Sequence, residues 1–363
     1  MRIMVVGQFL RAIYEEAFCQ SFERLGHTVK RFSWLPYFKR GFFFRVQYRL
    51  QAGPLLQFIN RDLCRAAGEF CPDLILIWRG TVISATTVAA LKHTSGVRAV
   101  ISYNNDNPFG GWRDDPYWQG FIRAIPAYTA HFVYRQSNIL DYQKAGAGSV
   151  YLLRAYYDPQ LHYPRELSPT QRAKYQCEAA FIGHYDPGDQ REVYLEAVAR
   201  AGLHIRVYGE KSRNLNVFDR MAKQFIKVGE GGWDVEHLRQ GGIEFMSPVE
   251  GEDYPLALSG TDIALNFLST SNRDTYTRRC FEIPACGRVM LSARTEDLYH
   301  LFQEDREAMF FSSPAEIADK AQWLKNHPEA REKIAARGRE RCLRDGHDID
   351  SRAKQMLAQT AEL

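Results

Sequence analysis

The chain has 363 residues, 45% of them hydrophobic and 25% charged, with a formal net charge of +4. That length points to about two domains, and the composition is that of a globular protein able to bury a core in each half. The charge is small and nowhere gathered into the strong basic stripe that nucleic-acid binding uses; it suits a protein that handles anionic ligands or touches an anionic membrane.

In chain order, short apolar runs alternate with helical patterns, the signature of parallel α/β sheets. Ile3–Val6 is a buried-strand run ending at Gly7. Tyr14, Phe18, Phe22 and Leu25 then fall at helical spacing, and Gly26 stops that helix. Strands follow at Thr28–Phe32, Leu74–Trp78, Ala99–Tyr103, Phe132–Tyr134 and Val150–Leu153, with a helix from Ser84 to Leu91 closed by Gly96. Segment 154–172 has three prolines and no period, and reads as a linker. The pattern then restarts with strands at Ala179–Ile182, Ile205–Tyr208, Ile243–Met246, Ile263–Phe267, Val289–Leu291 and Met309–Phe311. Helices are expected at about 190–201, briefly between Met246 and Ile263, at Thr275–Cys286 closed by Gly287, and at 295–302, 314–326, 328–345 and 348–360.

This order predicts two doubly wound sheets: a first domain over 1–160, a second over 173–346 and a final helix over 347–363. Such sheets bind ligands beyond the carboxyl ends of their strands, so a cleft between the domains is expected. Periodicity alone says cleft enzyme or binder and goes no further. The seven cysteines are odd in number and show no CxxC pair or zinc-ligand spacing, so free thiols in a reducing cytosol are expected. The N-terminus lacks a signal-peptide pattern and no run of 18 apolar residues occurs; a cytoplasmic protein is expected.

The segment with most chemistry is 272–291, NRDTYTRRCFEIPACGRVML. Asp274 reads as a helix N-cap, and Glu282 lies eight residues on, about 12 Å along the axis. The two carboxylates fall on neighbouring faces. Arg273, Arg278 and Arg279 gather near the helix start, where N–H groups and the dipole favour an anion. Two readings stand: a cradle for a sugar diphosphate, with carboxylates on hydroxyls and arginine on phosphate, or a capped surface helix held by i,i+4 pairs such as Arg278–Glu282. Pro284 inside the helix removes a hydrogen bond and favours a bent, functional helix.

That segment resembles the signature of group 1-type glycosyltransferases of the GT-B superfamily, closest to the branch of spore-maturation-protein-like glycosyltransferases. Stretches 72–80 (PDLILIWRG), 103–112 (YNNDNPFGGW), 157–164 (YDPQLHYP), 177–185 (CEAAFIGHY) and 262–269 (DIALNFLS) resemble the branch in the same order. The resemblance implies two Rossmann-like domains facing across a cleft, with the C-terminal helix crossing back to the first. In related retaining enzymes two acids spaced by seven residues face the donor. The matching positions are Asp274, on the sugar, and Glu282, on the ribose; the first acid being Asp rather than Glu is a departure. Arg279 matches an arginine near the diphosphate, and Gly183 a glycine turn that lets phosphates approach backbone. With Arg273 and Thr277 these form the expected donor site. No cofactor or metal is implied, and no DxD motif is present; the pair Asp114–Asp115 reads as surface or helix start.

The N-terminal half is expected to bind the acceptor, with Gly7, Gln8 and Phe9 at the cleft. Asp106 is the candidate base for an inverting reaction, or else an Asx residue ahead of Pro108. His131 and His184 read as structural or solvent-facing. Segment 37–50, YFKRGFFFRVQYRL, reads either as a rest on anionic lipid or as a helix whose aromatics pack inward. The expected function is transfer of a sugar from a nucleotide-diphosphate sugar to a glycan, lipid-linked or protein acceptor, with possible contact at the inner face of the membrane. A sugar-nucleotide epimerase and a non-catalytic binding shell are the alternatives.

Overall fold

The computed structural model describes residues 1–38, 41–110, 116–184, 190–209 and 233–363. The chain divides into two units, one formed by Met1–Ala155 with Ile349–Leu363, the other by Tyr156–Asp348. Each unit holds one six-stranded sheet whose paired strands all run parallel.

In the first unit the strands are β1 (Arg2–Gly7), β2 (Thr28–Ser33), β3 (Leu74–Trp78), β4 (Ala99–Asn104), β5 (Ala130–Val133) and β6 (Val150–Leu152), in the order β2-β1-β3-β4-β5-β6. Parallel sheets are covered on both faces, so their strands read as continuous apolar runs. Ile3, Met4, Val5 and Val6 are all fully buried, as is each residue of β3. Edge strand β2 is only half-buried and carries Arg31, which pairs with Glu16 and Glu23. The first helix is not continuous. A π-turn over Ala12–Glu16 breaks at Tyr14 (φ −111°, ψ −106°) before the helix Ala17–Arg24 begins.

Phe42–Leu50 is the helix that one reading of segment 37–50 offered, and helices at Pro54–Phe70, Pro116–Ala124 and Gln136–Lys144 lie where the sequence reading assigned none. Leu55, Ile59, Leu63 and Ala67 are the buried face of Pro54–Phe70. In segment 37–50 the ring of Tyr48 packs 4.9 Å from Phe38 and 5.9 Å from Tyr117, while Phe43 and Leu50 stay exposed. The inward-packing reading therefore holds for Phe38 and Tyr48. The final helix, Ile349–Ala361, packs on the first unit. Asp350 accepts from Ser21 Oγ at 2.6 Å and pairs with Arg24 at 2.6 Å, and buried Arg352 donates to the carbonyl of Ala155. Among the described residues no helix is long and apolar enough to cross a membrane.

His131 is structural, as expected. Its Nδ1 accepts from Ser102 Oγ at 2.6 Å and its Nε2–H donates to the carbonyl of Ile125 at 2.9 Å. Burial pushes its pKa down to about 4. The unfolded chain takes up this proton near the ordinary histidine value while the folded one refuses it. Stability is thus expected to fall as pH drops from about 6.5 towards 4, and ring ¹⁵N shifts should show His131 neutral until about pH 4.

The second unit has β7 (Cys177–Ile182), β8 (Ile205–Tyr208), β9 (Ile243–Met246), β10 (Thr261–Asn266), β11 (Val289–Ala293) and β12 (Met309–Phe311), in the order β12-β11-β10-β7-β8-β9. Its core gathers Phe181, Val207, Phe245, Ile263, Leu265 and Leu291 beneath the helices. The segment read as a linker is partly helical: Pro169–Tyr175 opens with a capping box between Ser168 and Gln171.

Candidate functional site

In a doubly wound sheet the ligand crevice opens where the strand order reverses, beyond the carboxyl ends of the two strands there. In the first sheet that point lies between β1 and β3, and in the second between β7 and β10. The predicted site residues converge on these two places, one in each unit.

At the β1/β3 point, β1 ends in Gly7 and β3 is followed by Arg79 and Gly80, both with positive φ (61° and 65°). A non-glycine residue held there is strained, and such strain collects at functional sites. Arg79 Nη2 reaches Asp106 Oδ2 at 2.9 Å, and its guanidinium lies 5.7 Å from the ring centroid of Tyr14. Burial opposes the charge on Arg79, but Asp106, Tyr117, Tyr14 and Glu15 outweigh it and hold the arginine firmly protonated. A cavity of about 210 Å³ is lined by Gln8, Leu10, Arg11, Tyr14, Glu15 and Arg79.

Two expectations change here. Gln8 is buried: its N–H donates to Glu15 Oε1 at 2.9 Å and its side-chain amide to the hydroxyl of Tyr48, so it braces the loop more than it offers groups to a ligand. Asp106 is not the turn-former. Asn104 and Asn107 accept from backbone N–H groups two residues on, at 3.0 Å each, and free Asp106 to meet Arg79. Phe9, beside Gln8, takes a left-handed φ of 53°.

Sequence reasoning missed Glu15 and Arg79. Arg79 was legible as a charge placed directly after a wholly apolar strand. Glu15 was hidden by the π-turn, which shifts it off the expected helical face; the residue is 3% exposed and its side chain packs against Gly7. A Cβ on Gly7 would sit 2.5 Å from Glu15 Cγ and 2.6 Å from Oε1. Gly7→Ala is accordingly expected to cost about 1–3 kcal/mol by overpacking, read from urea unfolding.

At the β7/β10 point, β7 ends at Ile182 and is followed by buried Gly183. Here a Cβ would lie 2.5 Å from Phe181 Cζ and 2.9 Å from Arg279 Nη2. The missing side chain lets the Arg279 guanidinium lie over the end of the strand, so an arginine occupies the approach that was expected for phosphate. Two guanidiniums flank the Phe181 ring, Arg279 at 5.8 Å and Arg191 at 5.5 Å from its centroid. Arg191, which the sequence reading did not single out, donates to the carbonyl of His184. Among the described residues Arg279 makes no hydrogen bond and no ion pair, and it is only partly buried. His184 is exposed, as expected.

The helix in the 272–291 segment begins later than predicted, at Arg279, and runs to Ala285. Asp274 is not its N-cap. The preceding loop is tied down in a non-helical path: Asp274 N donates to Ser269 O at 2.9 Å, and Arg273 takes a φ of 54°. Thr277 Oγ1 donates to buried Asn266 Oδ1 at 3.1 Å, and Asn266 in turn donates to Ser292 Oγ at 3.0 Å. Thr277 therefore fixes the loop to β10 and β11. Arg273 is exposed on that loop and Asp274 partly buried. Gly287, at φ 71°, closes the helix as predicted, and Pro284 sits buried in its last turn.

Glu282 departs most from expectation. Its side chain is 0% exposed. Tyr254 Oη donates to its Oε2 at 2.7 Å, Arg278 pairs with its Oε1 one helical turn away, and His162 Nε2 lies 3.6 Å off. Burial would raise the Glu282 pKa, but Arg278, His162 and the Tyr254 hydroxyl outweigh it and hold the carboxyl below its ordinary value. The His162 pKa is lowered, chiefly by burial, with Glu282 acting against that shift. Its Nδ1 accepts from the backbone N–H of Asp158 at 3.0 Å, which puts the proton on Nε2, facing the carboxylate. A carboxylate enclosed this way does not grip a ribose; it anchors Arg278 next to Arg279. The pair Asp114–Asp115 lies outside the described residues.

Residues 190–358 match the family described as glycosyl transferase-like. No curated protein matches the chain in sequence. Among solved structures, sucrose-phosphate synthase from Thermosynechococcus elongatus is similar with a TM-score of 0.69 at 13% identity, covering 100% of this chain and 98% of that one. Anabaena HepE in complex with UDP and glucose is similar with a TM-score of 0.67 at 13% identity, covering all of both chains. A glycosyltransferase from Rickettsia africae gives 0.67 at 11% identity, covering 99% of this chain and 98% of that one. At these identities the likeness is one of fold: the two-sheet α/β plan of the GT-B glycosyltransferases.

Proposed function

We propose that the chain is a glycosyltransferase that takes a sugar from a nucleoside-diphosphate sugar and passes it to a hydroxyl acceptor. One observation carries the reading: a partly exposed guanidinium with no protein acceptor among the described residues, Arg279, stands at the carboxyl-end switch point of the second sheet beside Gly183. A donor's diphosphate supplies the acceptor atoms that Arg279 lacks, and charge-assisted bonds from arginine to phosphate are strong and directional. The glycosyl transferase-like match covers this region, and one similar structure holds UDP and glucose.

In this reading Arg279 meets the leaving diphosphate as negative charge develops on it, the step where a fixed positive group contributes most. That charge is the ground for proposing a reaction without a metal. Arg273 and Asp274, on the loop after β10, contact the sugar in this reading. On the acceptor side the cavity beside Gly7 and Phe9 receives the hydroxyl, with Glu15 and Asp106 as the carboxylates near Arg79. Exposed Phe43 and Leu50 suit a rest on a membrane that carries a lipid-linked acceptor at the cytoplasmic face. The test is calorimetric titration with UDP, GDP and dTDP. One of them is expected to bind with a Kd on the order of micromolar, about −8 kcal/mol. Absence of binding by all three overturns the proposal.

A further inference from the structure

The second unit holds another basic cavity, at the opposite edge of its sheet. It measures about 120 Å³ and is lined by Arg165, Arg172, Gln176, Ser259, Asp262 and Arg288, among others. These residues lie at the amino-terminal ends of β7, β10 and β11. A strand of six residues separates this edge from Gly183, roughly 20 Å at about 3.3 Å per residue. The cavity is therefore separate from the nucleotide site described above.

Its charge is unbalanced. Arg165 has a carboxylate partner, Glu252, at 3.1 Å, and Asp262 is drawn towards Arg331 at 3.6 Å. Arg172 and Arg288 have no carboxylate partner among the described residues. Each guanidinium is instead steadied by a backbone carbonyl: Arg172 Nε donates to Leu167 O at 3.2 Å, Arg288 Nη2 to Ser259 O, and Arg165 Nη2 to Leu161 O at 3.2 Å. A carbonyl fixes a guanidinium without cancelling its charge, and it leaves the remaining N–H groups to other acceptors. The Nε atoms of Arg165 and Arg288 are buried without any acceptor among the described residues, an arrangement that costs free energy until one arrives. The volume is about four times a water molecule's share of the liquid, room for one small tetrahedral group.

We propose that this cavity binds a phosphate group, as the free dianion or at the end of a small monoester, through Arg172 and Arg288 with Arg165 at its rim. Phosphate is the common dianion whose geometry matches paired guanidinium forks. The site would be occupied independently of the nucleotide.

The experiment titrates inorganic phosphate, and separately glycerol 3-phosphate, into the wild type, Arg172→Ala and Arg288→Ala. The same titrations are repeated in an Arg279→Ala background, which removes the nucleotide site's own claim on phosphate. Loss of one charge-assisted contact should weaken binding roughly ten-fold or more in each background. Arg172 is exposed, so Arg172→Ala reads the site even if Arg288→Ala, which also loses its bond to Ser259, folds poorly. Tighter binding of the monoester than of phosphate assigns the natural source to an ester, and the reverse assigns it to the free ion. Binding unchanged in Arg172→Ala, or phosphate bound only while Arg279 is present, overturns the proposal.

Discussion

Replacing Glu282 by alanine is expected to cost the second unit roughly 3–5 kcal/mol of stability, the range for breaking a buried ion pair by removing one partner. The carboxylate has no exposed surface and serves Arg278 and the Tyr254 hydroxyl together, with His162 Nε2 3.6 Å away. Alanine leaves the Arg278 charge without its counter-ion and a buried hydroxyl without its acceptor, and opens a polar cavity between them. Glu282→Gln keeps an acceptor for Tyr254 but not the charge, so an intermediate loss is expected. Urea unfolding followed by circular dichroism reads both. The folded-state pKa of Glu282 lies below its unfolded value. The stabilisation is therefore complete above the ordinary glutamate range, about pH 4.5, and is lost as pH falls below it through the folded pKa. A Glu282→Ala variant as stable as the wild type at neutral pH would show that the carboxylate does not hold this cluster.

Arg279→Ala should behave in the opposite way. Among the described residues its guanidinium makes a cation–π contact with Phe181 and no hydrogen bond or ion pair, an interaction on the order of 0.5–1 kcal/mol, so unfolding should barely change. Catalysis should fall steeply. A fixed charge that meets the leaving group in the transition state is worth about 10²–10³ in rate, roughly 3–4 kcal/mol. We expect kcat/KM with the donor to drop by that factor, and Arg279→Lys to recover part of it, since lysine restores a point charge but not the bidentate fork. Together the two variants separate a residue that builds the site from one that acts in it: Glu282→Ala loses structure first, Arg279→Ala loses activity with its fold intact.

Most strands among the described residues were legible because buried parallel strands are unbroken apolar runs that stand out from any helical pattern. Leu74–Trp78, Ile205–Tyr208, Ile243–Met246 and Met309–Phe311 begin and end where the residues say they should. The helix Pro54–Phe70 was also legible, since Leu55, Ile59, Leu63 and Ala67 recur at every fourth position, but the sequence reading did not use that period. The site was harder to read. Asp274 has the residue type of an N-cap, yet whether a segment is helical depends on where its N–H groups go, and that of Asp274 goes back to Ser269. The spacing of Asp274 and Glu282 assumed one helix, which begins only at Arg279, and burial of Glu282 depends on Tyr254 and His162, which only the folded topology brings near it. Gly183 and Arg279, 96 positions apart in the numbering, meet because β7 and β10 are neighbours. Long-range pairing of that kind leaves no local signal.

A structure determined with UDP bound tests the account most directly. It should place a phosphate oxygen of the diphosphate within hydrogen-bonding distance of Arg279, about 3 Å, beside the carboxyl end of β7 at Gly183. A nucleotide found away from the β7/β10 switch point, with Arg279 still lacking an acceptor, would contradict it.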